Sequence, residues 1–161
     1  MKAVLCTEYG SPNVLQLKEV GKPGPREDEA LVRVHATSLN ASDLEALRGE
    51  FVVRMTAPRK PKYKVVGSDI AGRIEAVGRN VKQFRPGDEI WGDLSFPLSY
   101  GAFAEYVCIP ESALRLKPAG MTFEQAAVVP TAAVVALQKL RCTGPIRPGL
   151  KVLINGAGGG V

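Results

Sequence analysis

Histidine, cysteine and aromatic side chains are scarce in this sequence: one His, three Cys, one Trp and 6% aromatic residues in a chain of 161. A catalytic zinc site takes about three converging Cys, His or carboxylate ligands, and a structural one usually four. His35, in the alternating stretch ALVRVHATSL, reads as a partly buried strand residue, and the cysteines stand far apart. No bound metal is expected. Cys6, Cys108 and Cys142 are also an odd number, which points away from a disulfide framework and towards reduced thiols of a cytoplasmic protein, each a small core residue. Long apolar runs are missing too. The longest are pieces such as Ala132 to Leu137, well short of the ~18 residues that span a bilayer. The opening MKAVLCTEYG lacks the apolar region of a signal peptide, so neither a membrane nor a secretory location is expected.

Charge of one sign is present but not concentrated. Twenty-one Lys and Arg against 16 Asp and Glu give +5, which favours an anionic ligand. The densest cluster, Arg59, Lys60, Lys62 and Lys64, lies in the Pro-containing PRKPKYK and reads as a solvated loop rather than a nucleic-acid surface. With 45% hydrophobic and 23% charged residues the composition is that of an ordinary globular protein. The length admits one domain, or one domain and a fragment of another.

Glycine and proline, 17 and 12 of them, punctuate the chain. Between them KAVLCT, VLQLKEV, ALVRVHATSL, SDIAGRIEAVG, DEIWGDL and GAFAEYVCIP alternate apolar with polar residues or are β-rich, and are predicted strands. Short strands at this spacing predict a closed or nearly closed barrel, with a sandwich as the alternative. SDLEALRG predicts a short helix capped by Ser42, with Glu45 three positions on and Gly49 ending it. From Met121 the pattern changes. TFEQAAVVPTAAVVALQKLR is Ala-rich and opens with a capping-box pair, Thr122 and Gln125; Pro130 predicts a break into two helical pieces.

After the loop GPIRPG, the apolar KVLIN is a predicted strand running into GAGGGV. A strand entering glycines lets the backbone approach a pyrophosphate, with the next helix donating amides to the anion. Asn155, Gly156, Ala157, Gly158, Gly159, Gly160 and Val161 are therefore candidate cofactor-binding residues; a plain terminal turn is the competing reading.

Four segments in order, VGSDIAGRIEAVGRNVKQFRPGDEIWG, GAFAEYVCIP, KPAGMTFEQAAVVP and the run into GAGGGV, resemble the N-terminal half of the medium-chain dehydrogenase/reductase superfamily, in particular its zinc-free quinone oxidoreductase branch. The resemblance covers essentially the whole chain. It implies a mainly β, GroES-like barrel over residues 1–120, and over 121–161 the helices and first strand of a truncated Rossmann α/β domain. Zinc-dependent members carry a Cys near the position of Asn40, a His-Glu pair near Ser68 and Asp69, and four cysteines near residues 93–100; this chain has none of these.

The resemblance further implies hydride transfer from NADPH, or NADH, to a small quinone, enone or aldehyde, without metal. Asn40 matches an Asn beside the nicotinamide; its amide can donate to a carbonyl, or it can simply close the turn after the strand. Asp43 is read as bracing that turn. Phe51 stands where many relatives have a Tyr, and offers an aromatic wall without a proton. Val135 stands where a Thr meets the nicotinamide, so one polar contact is lost. Tyr63 is a possible hydroxyl donor or a loop anchor. Trp91 and Tyr100 are read as barrel core and loop packing. The chain by itself is expected to be inactive, and residues 122–140 to pack on the barrel, pair with another copy in a homodimer, or be poorly ordered. The competing class is a non-enzymatic GroES-like binding or scaffold module.

Overall fold

The structure is a computed structural model that describes residues 1–61, 64–95, 101–142 and 144–161. Tyr63 and Tyr100 lie outside the described residues. Seven strands form: β1 (Lys2–Leu5), β2 (Gln16–Glu19), β3 (Glu29–Thr37), β4 (Asp69–Val77), β5 (Glu89–Asp93), β6 (Tyr106–Pro110) and β7 (Leu114–Leu116). The six strands predicted before residue 120 are among them, and the short β7 is additional. β1 and β2 make an antiparallel pair, while the other five form an antiparallel sheet in the order β6-β3-β4-β5-β7.

Period-two alternation decides which side of each strand is buried. Val32, Ile70, Ile74, Ile90, Ile109 and Leu114, from all five strands of the larger sheet, meet in one cluster. Because both edge strands, β6 and β7, contribute to it, the sheet curls round a single core. No ladder joins β6 to β7 among the described residues, so of the closed or nearly closed barrel expected, the sheet shows the curl without full closure. β1 is joined to the segments ahead of β6 and of β4 by two isolated bridges, Ala3 to Ala104 and Leu5 to Val65. Cys6 is buried there, Cys108 is half-buried, and Cys142 is exposed, so the reading of Cys142 as a core residue is corrected.

Four helices follow the sequence signals with two corrections. Helix α1 (Ala41–Arg48) is capped by Asn40 rather than Ser42, and it ends at Gly49, whose φ of 63° is the left-handed conformation that glycine adopts without strain. Helix α2 (Phe51–Thr56) had no counterpart in the sequence reading. Tyr9 brackets the two. Its ring lies against Gly49, its hydroxyl donates to the Ala57 carbonyl at 2.6 Å, and Arg54 stacks over it at 4.6 Å.

Helix α3 (Phe123–Ala127) and helix α4 (Pro130–Cys142) are the two pieces expected on either side of Pro130. The outer face of the sheet receives them: Ala126 and Ala127 pack on Ala71, with Ala36, Trp91 and Phe123 around them. Trp91 thus covers this second cluster, not the main core. His35 is exposed rather than partly buried, yet its ring stacks on Phe123 at 4.3 Å. Lys117 clips the same corner, bonding Glu89 at 3.0 Å and the Met121 carbonyl at 2.7 Å. Of the outcomes expected for residues 122–140, packing on the sheet is the one seen.

Beyond α4 the predicted strand KVLIN is absent. Residues 151–154 belong to no strand and have no ladder partner among the described residues, 155–158 form turns, and every residue from 145 to 161 is exposed. An isolated strand has nothing to satisfy its backbone groups, and the described structure brings no partner to this one.

Candidate functional site

The end of β3, the start of β4 and the first turn of α4 converge on one side chain, Asp69, which is fully buried at 0% exposure. Its position follows from alternation along β4: Ile70 points into the core, while Asp69 and Ala71 face the helices. Burying a carboxylate without partners is costly, and here the partners are all neutral donors. The Thr131 hydroxyl donates to Oδ1 at 2.6 Å. The Thr131 backbone amide donates to Oδ2 at 3.1 Å, the Ser38 hydroxyl at 3.1 Å and the Asn40 side-chain Nδ2 at 3.2 Å. Ser68, equally buried, accepts from Asn40 Nδ2 at 3.4 Å.

Asn40 does two things at once. Its extended backbone caps α1, its own amide donating to the Asp43 carboxylate at 2.8 Å. Its side-chain amine is turned inward to Ser38, Ser68 and Asp69. A carboxylate only accepts, so the amine end of the carboxamide faces Asp69 and the carbonyl end faces away. The group expected to donate to a substrate carbonyl is committed to Asp69 in this arrangement.

Asp43 is 5% exposed, and its Oδ1 has no hydrogen-bond partner. Burial raises its carboxyl to about 6 against the opposing Asn40 amide, with the nearby Asp69 and Asp93 charges adding to the rise. The Cys108 thiol is pushed up to about 11, chiefly by burial, which leaves it protonated and unreactive at neutral pH.

Val135 is half-buried one turn after Thr131 on α4, hence on the same face of the helix. Phe51 is 80% exposed at the start of α2. The glycine tail is separate in its bonding: Gly159 donates to the Gly156 carbonyl at 2.9 Å, and Leu150 to the Arg147 carbonyl at 3.2 Å, both within the segment. Asp69 and Thr131 are the residues the sequence reading missed. The available signal was an acidic residue inside the otherwise apolar strand VGSDIAGRI, which demands a buried partner.

Neither a metal nor a dinucleotide finds a complete set of ligands here. The oxygens of Asp69 already accept four hydrogen bonds, and among the described residues no three His, Cys, Asp or Glu side chains gather as a metal site. For a pyrophosphate, the glycines would have to stand between a paired strand and a helix N-terminus. Gly156 and Gly158 instead lie in open turns, and at both, as at Gly160, an added Cβ would meet nothing.

Residues 26–119 match the family described as the alcohol dehydrogenase GroES-like domain. The chain is 36% identical to a 2-methylene-furan-3-one reductase of Solanum lycopersicum, a match that covers all of this chain and 42% of that protein. It is 32% identical to a human quinone oxidoreductase, again over all of this chain and 47% of the relative. Among solved structures, the Escherichia coli quinone oxidoreductase complexed with NADPH superposes with a TM-score of 0.80 at 28% identity, over 92% of this chain and 43% of that one. The chain thus spans less than half the length of these relatives.

Proposed function

This chain belongs to the alcohol dehydrogenase GroES-like domain family, within the medium-chain dehydrogenase/reductase superfamily, and from that premise we propose that it is one part of a zinc-independent, NADPH-dependent reductase of quinones, enones or related carbonyl compounds. The observation that carries the reading is identity of about one third across the whole chain to relatives named as a furanone reductase, an alkenal/one oxidoreductase and a quinone oxidoreductase. NADPH rather than NADH is favoured because a relative named for NADPH and a solved structure with NADPH are both among the matches. Zinc independence is supported by the donor set, since Asn40, Ser68 and a hydrogen-bonded Asp69 occupy the region where zinc-dependent members carry ligands.

Within that reading residues 1–120 form the GroES-like domain and 121–161 the start of the nucleotide-binding one. Asn40 and Val135 would border the nicotinamide, Phe51 the substrate, and Asn155 to Val161 would reach the pyrophosphate once a paired strand and a following helix complete them. Tyr63 stays a candidate donor. A small-molecule substrate, a cytoplasmic location and a homodimer complete the proposal. The test is turnover of NADPH with an enone and with a quinone by the longer protein, beside nucleotide titration into this chain by calorimetry. Turnover without added zinc, together with weak and unselective binding of both nucleotides to this chain, is expected. Tight, selective binding by this chain, or turnover lost on zinc chelation, would defeat the reading.

A further inference from the structure

We propose that Asp69 is the positioning residue of the site: its single buried carboxylate orients the Asn40 carboxamide and caps helix α4 at the same time, so that the two sides of the site are coupled through one side chain. This rests on the reductase reading only for what the positioning is for, namely holding Asn40 and Val135 in a fixed relation.

The helix side comes first. A helix leaves its first amides without partners, and a Ser, Thr, Asp or Asn just before it usually accepts from one of them. α4 begins at Pro130, and the residue before it, Val129, has no acceptor in its side chain. The acceptor comes instead from β4. Asp69, 62 positions earlier, takes the Thr131 amide at 3.1 Å and the Thr131 hydroxyl at 2.6 Å. A negative charge at a helix N-terminus is also favourable to the helix dipole.

The other side is Asn40. The oxygen that takes the Thr131 amide, Oδ2, also takes Asn40 Nδ2 and the Ser38 hydroxyl. Three donors sharing one oxygen constrain one another's geometry. Asp69 is further tied by its backbone, where the Thr37 hydroxyl donates to its carbonyl at 2.7 Å, and by its place in the β4 ladder opposite Asp93. The carboxylate therefore cannot follow one partner without leaving another, and a change at Thr131 must be felt at Asn40.

The test uses this chain with Thr131→Val, Thr131→Ser and Asn40→Ala, none of which removes the buried carboxylate itself, and reads hydrogen exchange by NMR. Thr131→Val is expected to speed exchange of the Asn40 side-chain amide by about threefold or more, and Asn40→Ala to speed exchange of the Thr131 backbone amide by a similar factor. Thr131→Ser, which keeps the hydroxyl, should restore the original rate at Asn40. Effects confined to the substituted side would overturn the proposal. In the longer protein, Thr131→Val should lower kcat with less change in KM; a loss of stability with kcat unchanged would reduce Asp69 to a structural role. Should the unsubstituted protein turn nothing over, the reductase reading fails while the exchange result still decides the coupling.

Discussion

Burial places the Asp43 carboxyl in a pH range where most aspartates are fully ionised, since its value of about 6 stands against about 4 for an unfolded chain. Between those values the folded protein binds more protons than the unfolded one. Stability from this group is therefore complete below about pH 4 and is lost as pH rises through about 6. The displacement corresponds to something on the order of 3 kcal/mol. Asp43→Asn cannot ionise, and its carbonyl can still accept from the Asn40 amide. Its urea midpoint is expected to gain on the unsubstituted chain as pH goes from 4.5 to 7.5; a constant difference would refute the raised carboxyl. At this scale the sequence was partly legible. Asn40, Asp43 and their turn stand out from SLNASD alone, but the inward direction of the Asn40 amine depends on Asp69 and Ser68, nearly 30 positions away. Thr131 is further still, and no local pattern announces it.

Helix starts and breaks are local events, which is why α3 and the interruption at Pro130 were readable. Thr122 and Gln125 exchange the expected pair of bonds: the Gln125 backbone amide donates to the Thr122 hydroxyl at 3.2 Å, and the Thr122 backbone amide to the Gln125 side-chain oxygen Oε1 at 3.0 Å. Thr122→Ala should cost about 1 kcal/mol in urea denaturation, with Thr122→Ser close to neutral. An equal loss in both would mean that the threonine methyl, not the cap, carries the effect. Elements whose existence depends on distant partners were less legible. FVVRMT is rich in β-branched residues, yet it is helical as α2 between the Gly49 carbonyl, which accepts from Arg54 Nε at 2.6 Å, and the Tyr9–Ala57 bond. KVLIN has a strand's composition and no strand to pair with. The Ser42 cap failed by two residues because Asn40 offers a capping geometry of its own, closed by Asp43 rather than Glu45.

For the whole molecule the sheet and its single core follow from alternation, whereas the manner of closure does not, because the curl is decided by how β6 and β7 share one cluster. The α3 and α4 segment settles on the outer face through small side chains, with Ala71, Ala126 and Ala127 allowing close approach. What that packing leaves uncovered is the run Leu150 to Ile154, in which Leu153 is 96% and Ile154 62% exposed. Stretches of β-prone apolar residues with unpaired backbone are templates for cross-strand recruitment between molecules, and a single Lys151 is a weak gatekeeper against it. Light scattering at rising concentration should therefore show self-association of this chain, relieved by Ile154→Lys; a chain that stays monomeric in both forms would contradict it. A segment whose composition suits it to the middle of a sheet is, in this chain, an adhesive surface. Its safest state is one in which another strand reaches it before a second molecule does.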